Sequence, residues 1–384
     1  MASSLHHCYS NPHDFGANRV FSSSAVVYYR ECCRLFVRYF SSQLESRSHG
    51  IRSLIERWLA SEAVFDDVWS LPFGSVEALL DGSKSSRRLL VTAAQLALRL
   101  SERGTPGDWE ISLEDQATFL WGPYVVSGAG RLRVSSDGKF AAVEIGAEDC
   151  RRIITFNSSG STWSAESLDT LHYLHLKSGL ALILSPEALN NAKELTERLS
   201  DPSPDEALAR CEAALDLIGR SSGEYLHWFS RVVRGILPVA GSSTRSFSSS
   251  SRTMPGIIAA STSVDIPTLA EILVHEASHQ YFYLLEQQGP VDDGTDARLY
   301  FSPIRGTDRP LRAILLAYHA FGNVLLFYRA CRKSGAADAQ LCESRERILL
   351  QQVNGLKQAL VTTSALTKFG NALWLPLAAH IAKV

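Results

Sequence analysis

Residues 268–286 read TLAEILVHEASHQYFYLLE, and at their centre stands His275-Glu276-Ala277-Ser278-His279. The apolar positions of this run recur at helical spacing, so it is expected to form a helix over about 267–288. Residues four apart on a helix lie on one face, which turns both imidazoles the same way and lets them share one metal ion. The plainer reading is that both histidines hydrogen-bond inside a helix bundle. Glu276 argues against it, because an acid beside Ile272-Leu273-Val274 is costly to bury without a cation.

Working outward, two more periodic segments follow, at about 309–334 and 337–363, giving a helical C-terminal region. Upstream, Gly241 to Thr253 (GSSTRSFSSSSRT) is too polar to build a core and reads as a flexible loop. Between 118 and 186 the period changes. Tyr124–Val126, Arg131–Val134, Phe140–Ile145 and Arg152–Phe156 are short alternating or β-branched runs. The Gly-Ala-Gly, Ser-Asp-Gly and Ser-Ser-Gly-Ser stretches between them read as turns. An antiparallel meander ending near Leu180–Leu184 is expected. Residues 21–104 are helical in pattern, as are 186–235, with a break at Asp201-Pro202-Ser203-Pro204-Asp205. The expected class is α+β, mostly helical. Its parts are an N-terminal helical region (1–117), a β-rich meander (118–186) and a helical catalytic region carrying the motif (187–384).

The chain of 384 residues has a formal net charge of −2, so no basic field points to nucleic acid or an anionic membrane. Seven cysteines, at 8, 32, 33, 150, 211, 331 and 342, form no CxxC pair and fit free thiols in a reducing cytosol. The N-terminus lacks a basic start followed by an apolar stretch, so no signal peptide is expected. The charge-free run Ala313–Tyr328 is shorter than a bilayer span and is expected to be a buried helix.

A metal held by His275 and His279 needs a further ligand. The metzincin extension requires Gly at 282 and His at 285, where this chain has Phe282 and Leu285. A gluzincin would draw a Glu from a later helix. Glu343 and Glu346 lie in a charged stretch that reads as a solvated face. Asp296, in Gly294-Thr295-Asp296, is similar to an aspartate-liganded signature but out of spacing by one residue. His319, inside the charge-free run, is the preferred third ligand, although a lone histidine on an apolar helix is more often a satisfied core residue. Just before it, Arg305, Arg309 and Arg312 fall within eight residues. A guanidinium fork matches a carboxylate, and peptide hydrolysis does not call for such a cluster. His172 and His175 form a second pair, for which ordinary surface or core roles are expected. Trp121, Trp228 and Trp374 read as core anchors.

The segments MPGIIAAS (254–261), LAEILVHEASHQ (269–280) and YFSPIRGTDRPLRAILLAYHAF (300–321) together resemble the HExxH-motif peptide-modification proteins, the 2-oxoglutarate/HExxH-type peptide β-hydroxylases. The resemblance covers about residues 224–334. It implies a mononuclear Fe(II) site with 2-oxoglutarate and O2 as co-substrates. It implies His275 and His279 as ligands, with Ser302, Arg305 and Arg309 on the co-substrate through the Ser-Pro-x-Arg…Arg-Pro pattern. The implied substrate is a ribosomally made peptide, with or without a leader, in the cytoplasm. The family pattern carries a histidine where this chain has Leu316, and His319 stands one helical turn later. Glu276 would orient a ligand, touch substrate or act as an extra ligand. The alternative is a zinc metallopeptidase with Glu276 as general base. A third reading is a binding protein with a structural metal.

Overall fold

The computed structural model describes residues 4–14, 18–61, 76, 79–80, 85–121, 124–146, 152–159, 162–165, 173–177, 181–183, 203–239, 247–252 and 254–383. Its fold is α+β and mostly helical, with an antiparallel meander in the middle of the chain. The helices are α1 Asn18–Leu44, α2 Ile51–Ala60, α3 Ser86–Glu102, α4 Pro204–Ser221, α5 Gly223–Val232, α6 Ile266–Glu286, α7 Leu311–Ser334, α8 Ala339–Thr362 and α9 Lys368–Ala382.

The meander is a six-stranded sheet in chain order: β1 Ser48–His49, β2 Gly107–Trp121, β3 Tyr124–Ser136, β4 Phe140–Gly146, β5 Arg152–Ser159 and β6 Thr162–Ala165. Along β3, Leu132 and Val134 are buried while Arg131 and Arg133 face water, the alternation of a sheet with one wet face. α3 covers the dry face, where the Trp109 indole N–H donates to Ser101 Oγ at 3.0 Å. The Ser-Asp-Gly turn forms as expected, with Asp137 Oδ1 accepting from the Lys139 and Phe140 amides at 2.8 Å each. Gly128-Ala129-Gly130 is not a turn. It lies within β3, opposite a bulge where Leu113 pairs Gly130 and Ala117 pairs Gly128. A Cβ on Gly128 would stand 2.5 Å from Ile145 Cγ1, so glycine here serves close approach rather than chain reversal. The sheet also reaches outside the expected range: β2 starts at Gly107, ahead of residue 118, and β1 comes from Ser48–His49.

The end of the expected meander belongs elsewhere. β8 Ala181–Ile183 runs parallel to β9 Gly235–Val239 in a second, mixed sheet. Its order is β10-β11-β9-β8-β7, with β7 Tyr173–His175, β10 Ser248–Ser250 and β11 Ile257–Ser261. β9 and β11 are parallel and buried throughout, which accounts for their apolar sequence up to Ser261 at the end of β11. Part of the serine-rich segment is therefore ordered. Ser248–Ser250 pair antiparallel with β11, and the Ser261 hydroxyl accepts from the Phe247 amide at 2.7 Å. Residues 240–246 and 253 lie outside the described residues.

The C-terminal helices start where local chemistry places them. Asp265 caps α6 by accepting from the Thr268 amide at 2.9 Å, and Pro267 sits in its first turn. Gly335, at φ 68°, ends α7. Asp338 caps α8 and Thr367 caps α9. At the expected break near 201–205, Ser203 caps α4 with Pro204 inside its first turn. By length and composition α7 could cross a membrane, but 72% of its apolar window is buried inside the chain. It is the central core helix, packed by α6, α8 and α9. Trp228 is buried and stacks on Tyr281 at 4.3 Å, and Trp374 is buried as well, while the Trp121 side chain lies outside the described residues. The six described cysteines are free and buried, and Cys150 lies outside the described residues.

Candidate metal centre

α6 is fixed from its back face. The Gln280 side chain accepts from the Gly256 amide at 2.9 Å and donates to the Ile257 carbonyl at 3.3 Å, tying the helix to the start of β11. The Tyr281 hydroxyl donates to the Trp228 carbonyl at 2.8 Å, tying it to α5. This leaves the His275–His279 face turned toward α7, which runs antiparallel to α6. Glu286 meets Arg312, His275 meets Phe321, and Glu271 meets Tyr328 in that order along the pair.

On this face, one ligand atom each from His275, Glu276 and His279 lies within 4.8 Å of the others. The two imidazoles meet edge to face, with centroids 4.6 Å apart. Glu276 is 3% exposed, and its Oε2 has no hydrogen-bond partner among the described residues. His279 Nδ1 is likewise buried without one. Unmatched buried acceptors of this kind are costly unless a cation or proton answers them. Two imidazoles, a carboxylate and two orphaned atoms on one face fit a divalent metal ion. The Phe321 ring packs edge-on against His275 at 4.8 Å.

His279 is held well below the ordinary imidazole value. Burial is the main cause, followed by His275 and His319, then by the guanidinium charges of Arg305 and Arg312. A neutral imidazole is the form that ligates metal. Tyr283, one turn further along α6, stacks on His279 with centroids 6.3 Å apart and rings inclined by 30°. Burial and the nearby carboxylates of Glu276 and Glu286, partly opposed by Arg312, push its phenol up to about 12.

His319 does not join the cluster. It is fully buried, and its Nε2 faces the backbone oxygens of Ser10 at 2.8 Å and Tyr9 at 3.0 Å. Carbonyls only accept, so Nε2 carries the proton. His319, expected as the third ligand, is not among the residues whose ligand atoms cluster: its Nε2 anchors the N-terminal segment, while its Nδ1 is buried with no hydrogen-bond partner among the described residues. Leu316 is half-buried on the same helix.

The arginines divide in a way the sequence did not indicate. β12 Leu299–Ser302 and β13 Thr307–Pro310 form a hairpin whose turn, Pro303–Gly306, carries Arg305. The hairpin rests on α8 where Pro303 meets Gly355, and a Cβ there would stand 2.9 Å from Pro303 Cγ. Ser302 is buried, and its carbonyl accepts from the Gly306 amide at 2.8 Å, closing the turn. Arg305 is exposed, yet its charge acts on His279. Arg309 is exposed on β13 opposite Tyr300 and is not among the largest influences on His279. Arg312 takes that place. It makes a bidentate pair with Glu286, at 2.6 and 2.5 Å, and lies over the Phe282 ring at 5.4 Å. Its position in the first turn of α7, close after the hairpin, is the signal that could have distinguished it from Arg309.

The other acidic candidates are engaged elsewhere. Glu346 pairs with Arg332 at 2.7 Å and Arg329 at 3.7 Å, and Glu343 is exposed. The stretch 343–347 is thus more than a solvated face, since Arg345 also pairs with Glu271. Asp296 accepts from Arg298, Tyr300 and Thr363, which hold its carboxyl far below the usual range. Among the described residues, His275, Glu276 and His279 are the one cluster arranged to hold a metal. His172 lies outside the described residues, and His175 sits on a strand.

Compared with known proteins, the chain matches no family model and no curated protein. The resemblance to the HExxH-motif peptide-modification proteins therefore stands on the residues quoted for it.

Proposed function

We propose that this chain is a metal-dependent enzyme of the cytoplasm, an Fe(II)/2-oxoglutarate-dependent hydroxylase acting at a side-chain Cβ of a ribosomally made peptide. The observation that carries this reading is the meeting, at His279, of a two-imidazole, one-carboxylate donor set with the charges of Arg305 and Arg312. That donor set suits non-haem iron with open positions. The adjacent guanidinium groups suit a dicarboxylate, a requirement that peptide hydrolysis does not impose.

His275 and His279 would hold the ion, and Glu276 would serve as the extra ligand or orient one. Bound iron would supply the activation of O2 at the expense of 2-oxoglutarate. Arg305 would hold the far carboxylate, with Arg312 adding positive charge while it stays paired to Glu286. Ser302 would act through the turn that presents Arg305. Phe321, against His275, would keep water from that side of the site.

The second reading is a zinc metallopeptidase with Glu276 as general base. The free Oε2 of Glu276 beside both imidazoles favours it. Against it stands the later carboxylate such a site needs, since Glu346 is committed to arginines.

The test is metal content after anaerobic purification, then succinate formation from 2-oxoglutarate with Fe(II), with and without peptides. Iron-dependent succinate that His279→Ala abolishes is the expected result. Peptide cleavage with Zn(II) alone and no succinate would replace the oxygenase reading with the peptidase.

A further inference from the structure

Tyr283 continues the stripe begun by His275 and His279, each residue four after the last, so all three project from one face of α6. Its neighbours in sequence behave differently. Tyr281 and Phe282 are fully buried in the core, whereas Tyr283 is half-buried. Three tyrosine hydroxyls of the interior are spent on protein acceptors, whereas that of Tyr318 is sealed in the core without one, out of reach of any ligand. Tyr225 donates to the Asn323 carbonyl, Tyr281 to that of Trp228, and Tyr328 to the Glu271 carboxylate. No described residue takes the Tyr283 hydroxyl. Its ring is nonetheless positioned, stacked on His279, within reach of the charges of Glu276, Arg312 and Glu286. A tyrosine that is packed in place along its ring and open at its oxygen is arranged to donate a hydrogen bond to something outside the chain.

We propose that Tyr283 is a hydrogen-bond donor of the metal centre, its phenol holding an anionic oxygen of the ligand that fills the ion's open side. The ligand class is a chelating oxygen donor, a carboxylate or hydroxamate. The phenol remains neutral and gives one hydrogen bond, with no bond made or broken. The inference rests on the metal-binding reading above. It assigns to Tyr283 a role in retaining the ligand and none in retaining the ion.

The test uses the full chain loaded with Co(II), whose visible bands report its coordination, and acetohydroxamate as the probe. Tyr283→Phe keeps the ring and its stacking and removes only the hydroxyl. The expected result is unchanged Co(II) affinity and circular dichroism, with acetohydroxamate bound about tenfold more weakly. Equal acetohydroxamate affinity in the variant and the parent overturns the proposal while leaving the metal site standing. Loss of Co(II) by the folded variant overturns it too, since Tyr283 would then be holding the ion. If the parent binds no Co(II) beyond what His279→Ala binds, the metal reading and this inference fall together.

Discussion

The His319 imidazole lies 2.8 Å from the Ser10 carbonyl oxygen, a contact that joins the central helix to the N-terminal segment across 309 residues of sequence. Asn323, one turn on, donates to the same oxygen at 2.9 Å. The Ser10 hydroxyl donates to the Leu373 carbonyl, and the Tyr9 hydroxyl accepts from Gln288 at 2.7 Å. His319 and Asn323, in the charge-free stretch of α7, thus serve a buried strap. His319 is a histidine of the core, outside the cluster formed by His275, Glu276 and His279.

That geometry makes His319 a source of acid lability. Burial holds its pKa at about 4, partly offset by the carbonyls of Ser10 and Tyr9, against an ordinary value near 6.5. With the folded value depressed, the unfolded chain takes up the proton first. Stability is full above pH 6.5, falls as pH drops from about 6.5 to about 4, and levels off below. The loss attributable to this residue is at most about 3 kcal/mol. His319→Gln retains an N–H donor and removes the titration. Urea unfolding across that window is expected to show a shallower decline in the variant, with metal affinity unchanged.

The strap itself should be needed for the fold. Tyr9 is fully buried and meets Tyr281 edge-on at 6.3 Å. Removing its side chain vacates core volume and leaves the Gln288 amide unmatched. Tyr9→Ala is expected to cost about 3–5 kcal/mol, read from the urea midpoint. An unchanged midpoint would mean the strap is an ornament on a core that closes without it.

How far the sequence could be read depended on the range of the interaction. α6, α7 and α8 were legible to within two residues because period, caps and proline are local signals. Asp265 and Pro267 mark the start of α6, and Gly335 marks the end of α7. The histidine pair was legible for the same reason. His319 was not, since its partners come from the opposite end of the chain. Gly128-Ala129-Gly130 misled because glycine marks bulges as well as turns. Ser248–Ser250 misled because composition alone speaks against a strand, while the available edge of β11 speaks for one. Among the arginines, spacing alone could not separate Arg309 on an exposed strand from Arg312 at the helix start.

Arg305 and Arg312 are expected to separate when each is changed to alanine. Arg305 is exposed at the hairpin turn, so its loss should leave stability within about 0.5 kcal/mol and weaken 2-oxoglutarate binding. Arg312 neutralises Glu286, whose side chain is 10% exposed. Arg312→Ala strands that carboxylate and should cost about 1–3 kcal/mol, the lower end set by the half-exposed guanidinium. Thermal melts and 2-oxoglutarate titrations of both variants supply the check. Equal stability in the two would show that the Glu286 pair contributes nothing measurable.

The orphaned oxygen of Glu276 leads to the sharpest expectation. Without a cation, a buried carboxylate lacking a hydrogen bond opposes folding. Glu276→Gln replaces the charge with an amide of the same shape, so the metal-free variant should be as stable as the parent or more so, by about 1–3 kcal/mol. Adding a divalent ion should reverse the order. Binding to the folded state alone stabilises the parent by about 2.7 kcal/mol at a hundredfold excess over Kd, and the variant gains less if Glu276 is a ligand. His275→Ala and His279→Ala should gain nothing from the metal. Melting curves of the four proteins, with and without Fe(II) or Zn(II), decide it. A parent whose melting temperature ignores both ions has no metal centre at these residues.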